Sequence, residues 1–130
     1  MSGEGAGQQI VCRGVRGATV ADADSREEIH EATVELVKRM LAANGIEPDD
    51  LASAFFTTTS DLTAAFPAEA VRHMGWEYVP MLGAVEMDKA GDMTHCIRVL
   101  LHWNTPKGQR EIKHIYLKGT ESLRTAGPSP

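Results

Sequence analysis

The sequence predicts an α/β or α+β layer fold with helices packed on one face of a β-sheet. Three observations point to it. Residues 25–45 carry apolar side chains at helical spacing between clear start and stop signals. Short runs rich in β-branched and aromatic residues recur along the chain, at Ile10–Val15, Leu51–Thr59, Tyr78–Val85, Cys96–Leu101 and Glu111–Lys118. Their order, β, α, β, α and then three strands, suits a layered sheet with helices on one side. At 130 residues the chain is long enough for one domain with a real core, and no internal repeat divides it.

The elements follow in order. Residues 1–9, rich in Gly and Gln, are expected to form a disordered tail, with the folded domain spanning 10–124 and a flexible tail at 125–130. Arg13 and Arg16 bracket the end of the first strand. Gly14 and Gly17 alternate with them and permit close approach of another chain or a ligand. Ser25 with Glu28 fits a capping box, and Glu27 and Glu28 suit the positive end of a helix dipole. Ile29, Thr33, Leu36, Val37, Met40 and Leu41 form one apolar stripe, which reads as core packing. Asn44-Gly45 stops the helix, and Pro48-Asp49-Asp50 begins a short turn or helix. Ser60-Asp61 turns the chain after the second strand. Pro67 suits the first position of a helix running to about Met74, with Gly75 after it. Gly91 and Asp92 join the third and fourth strands. Residues 104–109 are expected as a loop, and 119–123 as a last helical turn.

Composition narrows the function. An apolar fraction of 42% and a charged fraction of 24% are ordinary for a soluble protein. A net charge of −5, with the 13 Lys and Arg scattered, argues against a nucleic-acid partner. No apolar run approaches the roughly 20 residues of a membrane span. There is no export leader ahead of Ile10, and Cys12 and Cys96 read as buried free thiols, so the expected compartment is the cytoplasm.

Motifs for metal, nucleotide or nucleophile chemistry are missing. His30, His73, His95, His102 and His114 have no metal-ligand spacing. There is no phosphate-cradling glycine loop. Cys96 follows His95, but neighbours on a strand point opposite ways. What remains is a set of arginines (Arg16, Arg72, Arg98, Arg124), one acid (Glu86), one tyrosine (Tyr116) and one aromatic (Phe66). An arginine inside an apolar strand is costly unless an anion meets it. Either Glu86 and Arg98 pair with each other or with solvent, or both face a cavity that holds a polar ligand.

Five stretches in the same order and at nearly the same spacing carry a family resemblance: Arg-Gly-Val-Arg-Gly-Ala-Thr at 13–19, Asp-Leu-Thr-Ala-Ala-Phe-Pro-Ala at 61–68, Trp-Glu-Tyr-Val-Pro at 76–80, Glu-Met-Asp at 86–88 with Cys-Ile-Arg-Val at 96–99, and His-Ile-Tyr-Leu at 114–117. From about Val11 to Arg124 the chain resembles the monofunctional chorismate mutases of the trimeric α/β, Bacillus type. The resemblance implies an α/β (α+β) fold with a single-layer mixed β-sheet and helices packed on one face, assembled as a homotrimeric pseudo-barrel with active sites between subunits. It also implies the Claisen rearrangement of chorismate to prephenate without cofactor, metal or covalent step.

By the same resemblance, Arg98 lies beside the ether oxygen and Glu86 meets the ring hydroxyl. Arg16 and Tyr116 hold a carboxylate. Phe66 and Ala68 form a wall from the facing subunit, and Arg72 and Arg124 draw in the dianion at the entrance. Gly83 stands where the Bacillus pattern has a cysteine facing the ring hydroxyl, and Glu69 where it has a lysine. The loop before Trp76 is one residue shorter. Two other readings stand beside this one: an imine deaminase on a similar trimer, and a non-catalytic trimer that binds aromatic-pathway metabolites.

Overall fold

The computed structural model describes residues 9–89 and 91–124. The expected tails at 1–9 and 125–130 lie, but for Gln9, outside them. Five strands, β1 (Val11–Val20), β2 (Leu51–Thr58), β3 (Met81–Val85), β4 (Cys96–Thr105) and β5 (Ile115–Tyr116), form one sheet in the order β3-β2-β4-β1-β5. β4 pairs antiparallel with both β1 and β2, whereas the β2–β3 and β1–β5 pairs are parallel, so the sheet is mixed. The helices α1 (Arg26–Asn44) and α2 (Pro67–Arg72) cover one face.

Strand alternation decides which side chains meet those helices. On β4, Ile97, Val99, Leu101 and Trp103 are buried in the core, while Arg98, Leu100 and His102 are half-buried on the other face. The register Thr57↔Arg98↔Ala18 and Phe55↔Leu100↔Arg16 carries the same alternation across β2, β4 and β1. α1 begins and ends as its sequence requires. Glu28 N–H donates to Ser25 Oγ at 3.2 Å. Gly45, at φ 72°, donates its N–H to the Leu41 carbonyl at 2.8 Å. Ile29, Thr33, Leu36, Val37 and Met40 are wholly buried.

Gly17 allows a close approach, but to the helix rather than to a ligand. A Cβ there would collide with the Met40 side chain and lie 3.1 Å from Leu36 Cδ1.

The edges of several elements differ from expectation. β1 continues to Val20 and β4 to Thr105, because the two strands pair without interruption from Val11↔Thr105 to Val20↔Cys96. Asn104 is therefore strand rather than loop. β3 starts at Met81 rather than Tyr78: Pro80 accepts a bond from Ala54 N–H at 2.9 Å but has no N–H to give. α2 closes at Arg72, with the Met74 N–H turning back to the Val71 carbonyl at 2.9 Å.

The largest difference is the last strand, expected over 111–118 and confined to Ile115–Tyr116. A 3-10 turn at Gln109–Glu111 precedes it, and left-handed Lys118 (φ 54°) and Gly119 (φ 81°) end it. A second 3-10 turn, Thr120–Arg124, closes the described chain. Among the described residues no helix is long and apolar enough to cross a membrane.

Candidate active site

A cavity of about 240 Å³ opens on the sheet face away from the helices. β4 supplies Arg98 and Leu100, β1 supplies Arg16 and Ala18, and β2 supplies Phe55 and Thr57. Glu86 enters from just beyond β3, Tyr116 from β5 and Leu123 from the last 3-10 turn. Four of the residues singled out in the sequence, Arg16, Glu86, Arg98 and Tyr116, thus share one concave space although the first and last stand 100 positions apart.

Each is held by its neighbours. The Glu86 N–H donates to the Thr58 carbonyl at 2.7 Å, continuing the β3 ladder by one residue. Its carboxylate accepts a hydrogen bond from Thr57 Oγ1. Glu86 Oε2 also lies 3.5 Å from Arg98 Nε, an ion pair longer than an N–H···O hydrogen bond, so buried Nε keeps its donor. The Tyr116 hydroxyl is buried and has no hydrogen-bond partner among the described residues. A buried, unpartnered hydroxyl costs free energy that a ligand oxygen would recover.

Cys96 lies under Arg98 and is wholly buried. Burial pushes its thiol pKa up, against the opposing pull of the Arg98 charge, so at neutral pH it is a thiol rather than a nucleophilic thiolate. Cys12, expected to be buried, is exposed at the start of β1.

The other expected site residues lie elsewhere in the chain. Phe66, Ala68, Arg72 and Gly83 line a second cavity of about 800 Å³ with Phe56, Thr58 and Val85. Gly83 pairs with Phe56, which places it on the opposite sheet face from Thr57. Arg124 is exposed at the end of the closing turn, next to Leu123 of the first cavity. Glu69, at the rim of the second cavity, is not bare: Arg26 Nη1 and His30 Nε2 approach its Oε1 at 3.5 and 3.4 Å.

The loop bearing Phe66 is tied to the start of α1 by Asp24. Its carboxylate accepts from Thr63 N–H at 2.9 Å, Thr63 Oγ1 at 2.9 Å and Ala64 N–H at 3.0 Å. The Thr63 and Ala64 amides hold the Asp24 pKa below its usual value.

Sequence reasoning missed Thr57, Leu123 and Asp24. Thr57 was legible only as the middle of a strand-forming threonine run. Period-two alternation would have put it on one face with Phe55, but not opposite Arg98.

Two guanidinium groups, a carboxylate and a free phenol around one cavity, on an α+β sheet, define a protein equipped to hold a small, multiply charged anion. A family model, chorismate mutase type I, matches residues 12–126. A chorismate mutase AroH of Thermus thermophilus is 48% identical over 113 residues, 86% of this chain and 93% of that protein. The chorismate mutase AroH of Bacillus subtilis (strain 168) is 40% identical over 116 residues, 88% of this chain and 91% of that protein. Among solved structures, a chorismate mutase from Clostridium thermocellum superposes with a TM-score of 0.83 at 44% identity, covering 85% of this chain and 98% of that one. The chain belongs to the chorismate mutase type I family.

Proposed function

We propose that this chain is an isomerase that rearranges chorismate to prephenate, with Arg98 and Glu86 as its catalytic residues. The observation that carries the reading is the convergence of Arg16, Glu86, Arg98 and the unpartnered Tyr116 hydroxyl on one cavity. Chorismate is a dicarboxylate with an enol ether and a ring hydroxyl. As the ether C–O bond breaks, partial negative charge gathers on that oxygen and partial positive charge on the ring. A guanidinium fixed beside the oxygen binds this state better than the ground state. Arg98 supplies it, held in place by the strand and by Glu86. Glu86 accepts the ring hydroxyl and faces the developing positive charge. Arg16 and Tyr116 hold a carboxylate and keep the side chain folded over the ring, which adds a positioning effect.

Phe66, Ala68, Arg72 and Gly83 serve the same site from a neighbouring subunit of a homotrimer, with Arg124 at the entrance. The division of the expected residues between two cavities supports this. So does the exposure of Leu82 and Val85 on edge strand β3, and of Phe66 and Met87 beside it, apolar groups that an interface would cover. The free thiols Cys12 and Cys96 are in keeping with work in the cytoplasm.

Following chorismate absorbance with purified protein tests the activity. Binding without turnover would favour a non-catalytic trimer, and turnover of an amino-acid-derived imine instead would favour a deaminase. Light scattering after size exclusion tests the assembly, and a monomeric mass in the active enzyme would remove the shared site.

A further inference from the structure

The Arg16 backbone N–H donates to His114 Nδ1 at 2.9 Å. In a parallel ladder a strand amide would find a carbonyl of the neighbouring strand. Here the imidazole takes that place, immediately before pairing begins at Gly17↔Ile115. His114 is anchored from behind by the buried end of α1. Lys113 N–H donates to Asn44 Oδ1 at 2.8 Å, and Asn44 Nδ2 donates to the Lys113 carbonyl at 2.9 Å. The helix end thus fixes the backbone one residue before His114, and the ring itself is bonded to the strand that carries Arg16. Two residues later the same segment delivers Tyr116 to the cavity.

We propose that neutral His114 is a positioning residue for the Arg16–Tyr116 side of the substrate site, and that its protonation in mildly acidic solution frees that side and weakens chorismate binding. This rests on the carboxylate-holding role given to Arg16 above.

The chemistry follows from the bond. An imidazole that accepts at Nδ1 is neutral and carries its proton on Nε2. Once protonated it presents N–H to N–H and the bond is lost. Burial first, then the cations Arg16 from β1 and Arg124 from the closing turn, hold its pKa below the ordinary value. The α1 residue bonded beside it, Asn44, is uncharged. The one carboxylate in the segment leading to it, Glu111, is engaged by Gly108 N–H at 2.7 Å. Because the folded-state value is depressed, the link is intact above the ordinary value of about 6.5 and is lost as pH falls through the lower, folded-state value.

The test is steady-state chorismate turnover between about pH 5 and about pH 8 for wild type, His114→Asn, His114→Ala and Arg16→Ala. The wild-type KM is expected to rise at the acid end, with kcat changing less. In His114→Asn, Oδ1 stands where Nδ1 stood and does not titrate, so most of the affinity is restored and KM stays flat with pH. His114→Ala, which loses one hydrogen bond, raises KM about 3- to 10-fold throughout. Circular dichroism confirms that each variant is folded, and the flat profile of His114→Asn remains decisive if His114→Ala is not.

A wild-type KM that does not change with pH overturns the proposal, as does a His114→Asn profile that still rises in acid. A wild-type KM in His114→Ala, alongside a raised one in Arg16→Ala, overturns this proposal alone. A wild-type KM in Arg16→Ala removes the role of Arg16 itself, and the proposal with it.

Discussion

Arg98 Nε stands 3.5 Å from Glu86 Oε2, while that oxygen takes its hydrogen bond from Thr57. The acid is thus oriented by a neutral hydroxyl, and the guanidinium keeps donors free to turn toward a ligand. Side-chain exposures of 37% for Arg98 and 20% for Glu86 make this pair a weak contributor to stability. Its value lies in placing opposite charges on two sides of one small cavity.

Arg98→Ala is expected to lower kcat/KM for chorismate by about 10²- to 10³-fold, corresponding to about 3–4 kcal/mol of lost transition-state stabilisation. Arg98→Lys stays badly impaired because a point charge does not reproduce the fork. Near-normal turnover in Arg98→Ala, measured by chorismate absorbance, would remove the mechanism.

Thr57→Val keeps the shape of the strand and deletes the donor to Glu86. With one hydrogen bond to a charged group lost, kcat is expected to fall about 10-fold or more. Thermal unfolding should change little, since Thr57 is half-buried and valine suits a strand. An unchanged kcat would show that Glu86 needs no orienting partner.

Gly83 has room for a side chain: a Cβ there meets only the Phe56 carbonyl, at 3.7 Å. Gly83→Cys should fold normally and offer a thiol to the second cavity. If that cavity completes a neighbour's substrate site, KM should fall about 2- to 10-fold through one added hydrogen bond. A folded variant with a wild-type KM would separate Gly83 from the substrate.

Asp24 sets an acid limit on stability. Its folded-state pKa lies below the usual 3.8, so the unfolded chain takes up the proton first. The contribution is complete above that usual value and fades as pH falls through the folded-state one. Asp24→Ala should lower Tm at neutral pH and flatten its fall in acid relative to wild type. Asp61 adds in the same direction: burial opposes, but bonds from the Thr59 hydroxyl and His95 N–H outweigh it. A Tm profile for Asp24→Ala parallel to wild type at all pH values would show that the Thr63–Ala64 clamp is idle.

Much of this protein could be read along the chain, because its causes are local. Ser25, the apolar stripe and Gly45 specify α1 from end to end within a few residues of each other. The β, α, β, α, then three-strand order, and the arginine–acid–tyrosine set, are equally visible without coordinates. Other features depend on partners far away in sequence. β5 shrinks to two residues because Asn44, 69 positions earlier, grips Lys113, and because the His114 ring, 98 positions from Arg16, displaces a ladder carbonyl. Thr57 meets Glu86 only through the parallel register of β2 and β3. The parting of Gly83 from Glu86 into different cavities depends on the same register. Local propensity and spacing select which elements form. Which side chains share a cavity is decided by strand register and by bonds across the sheet, and these exist only once the chain has closed on itself.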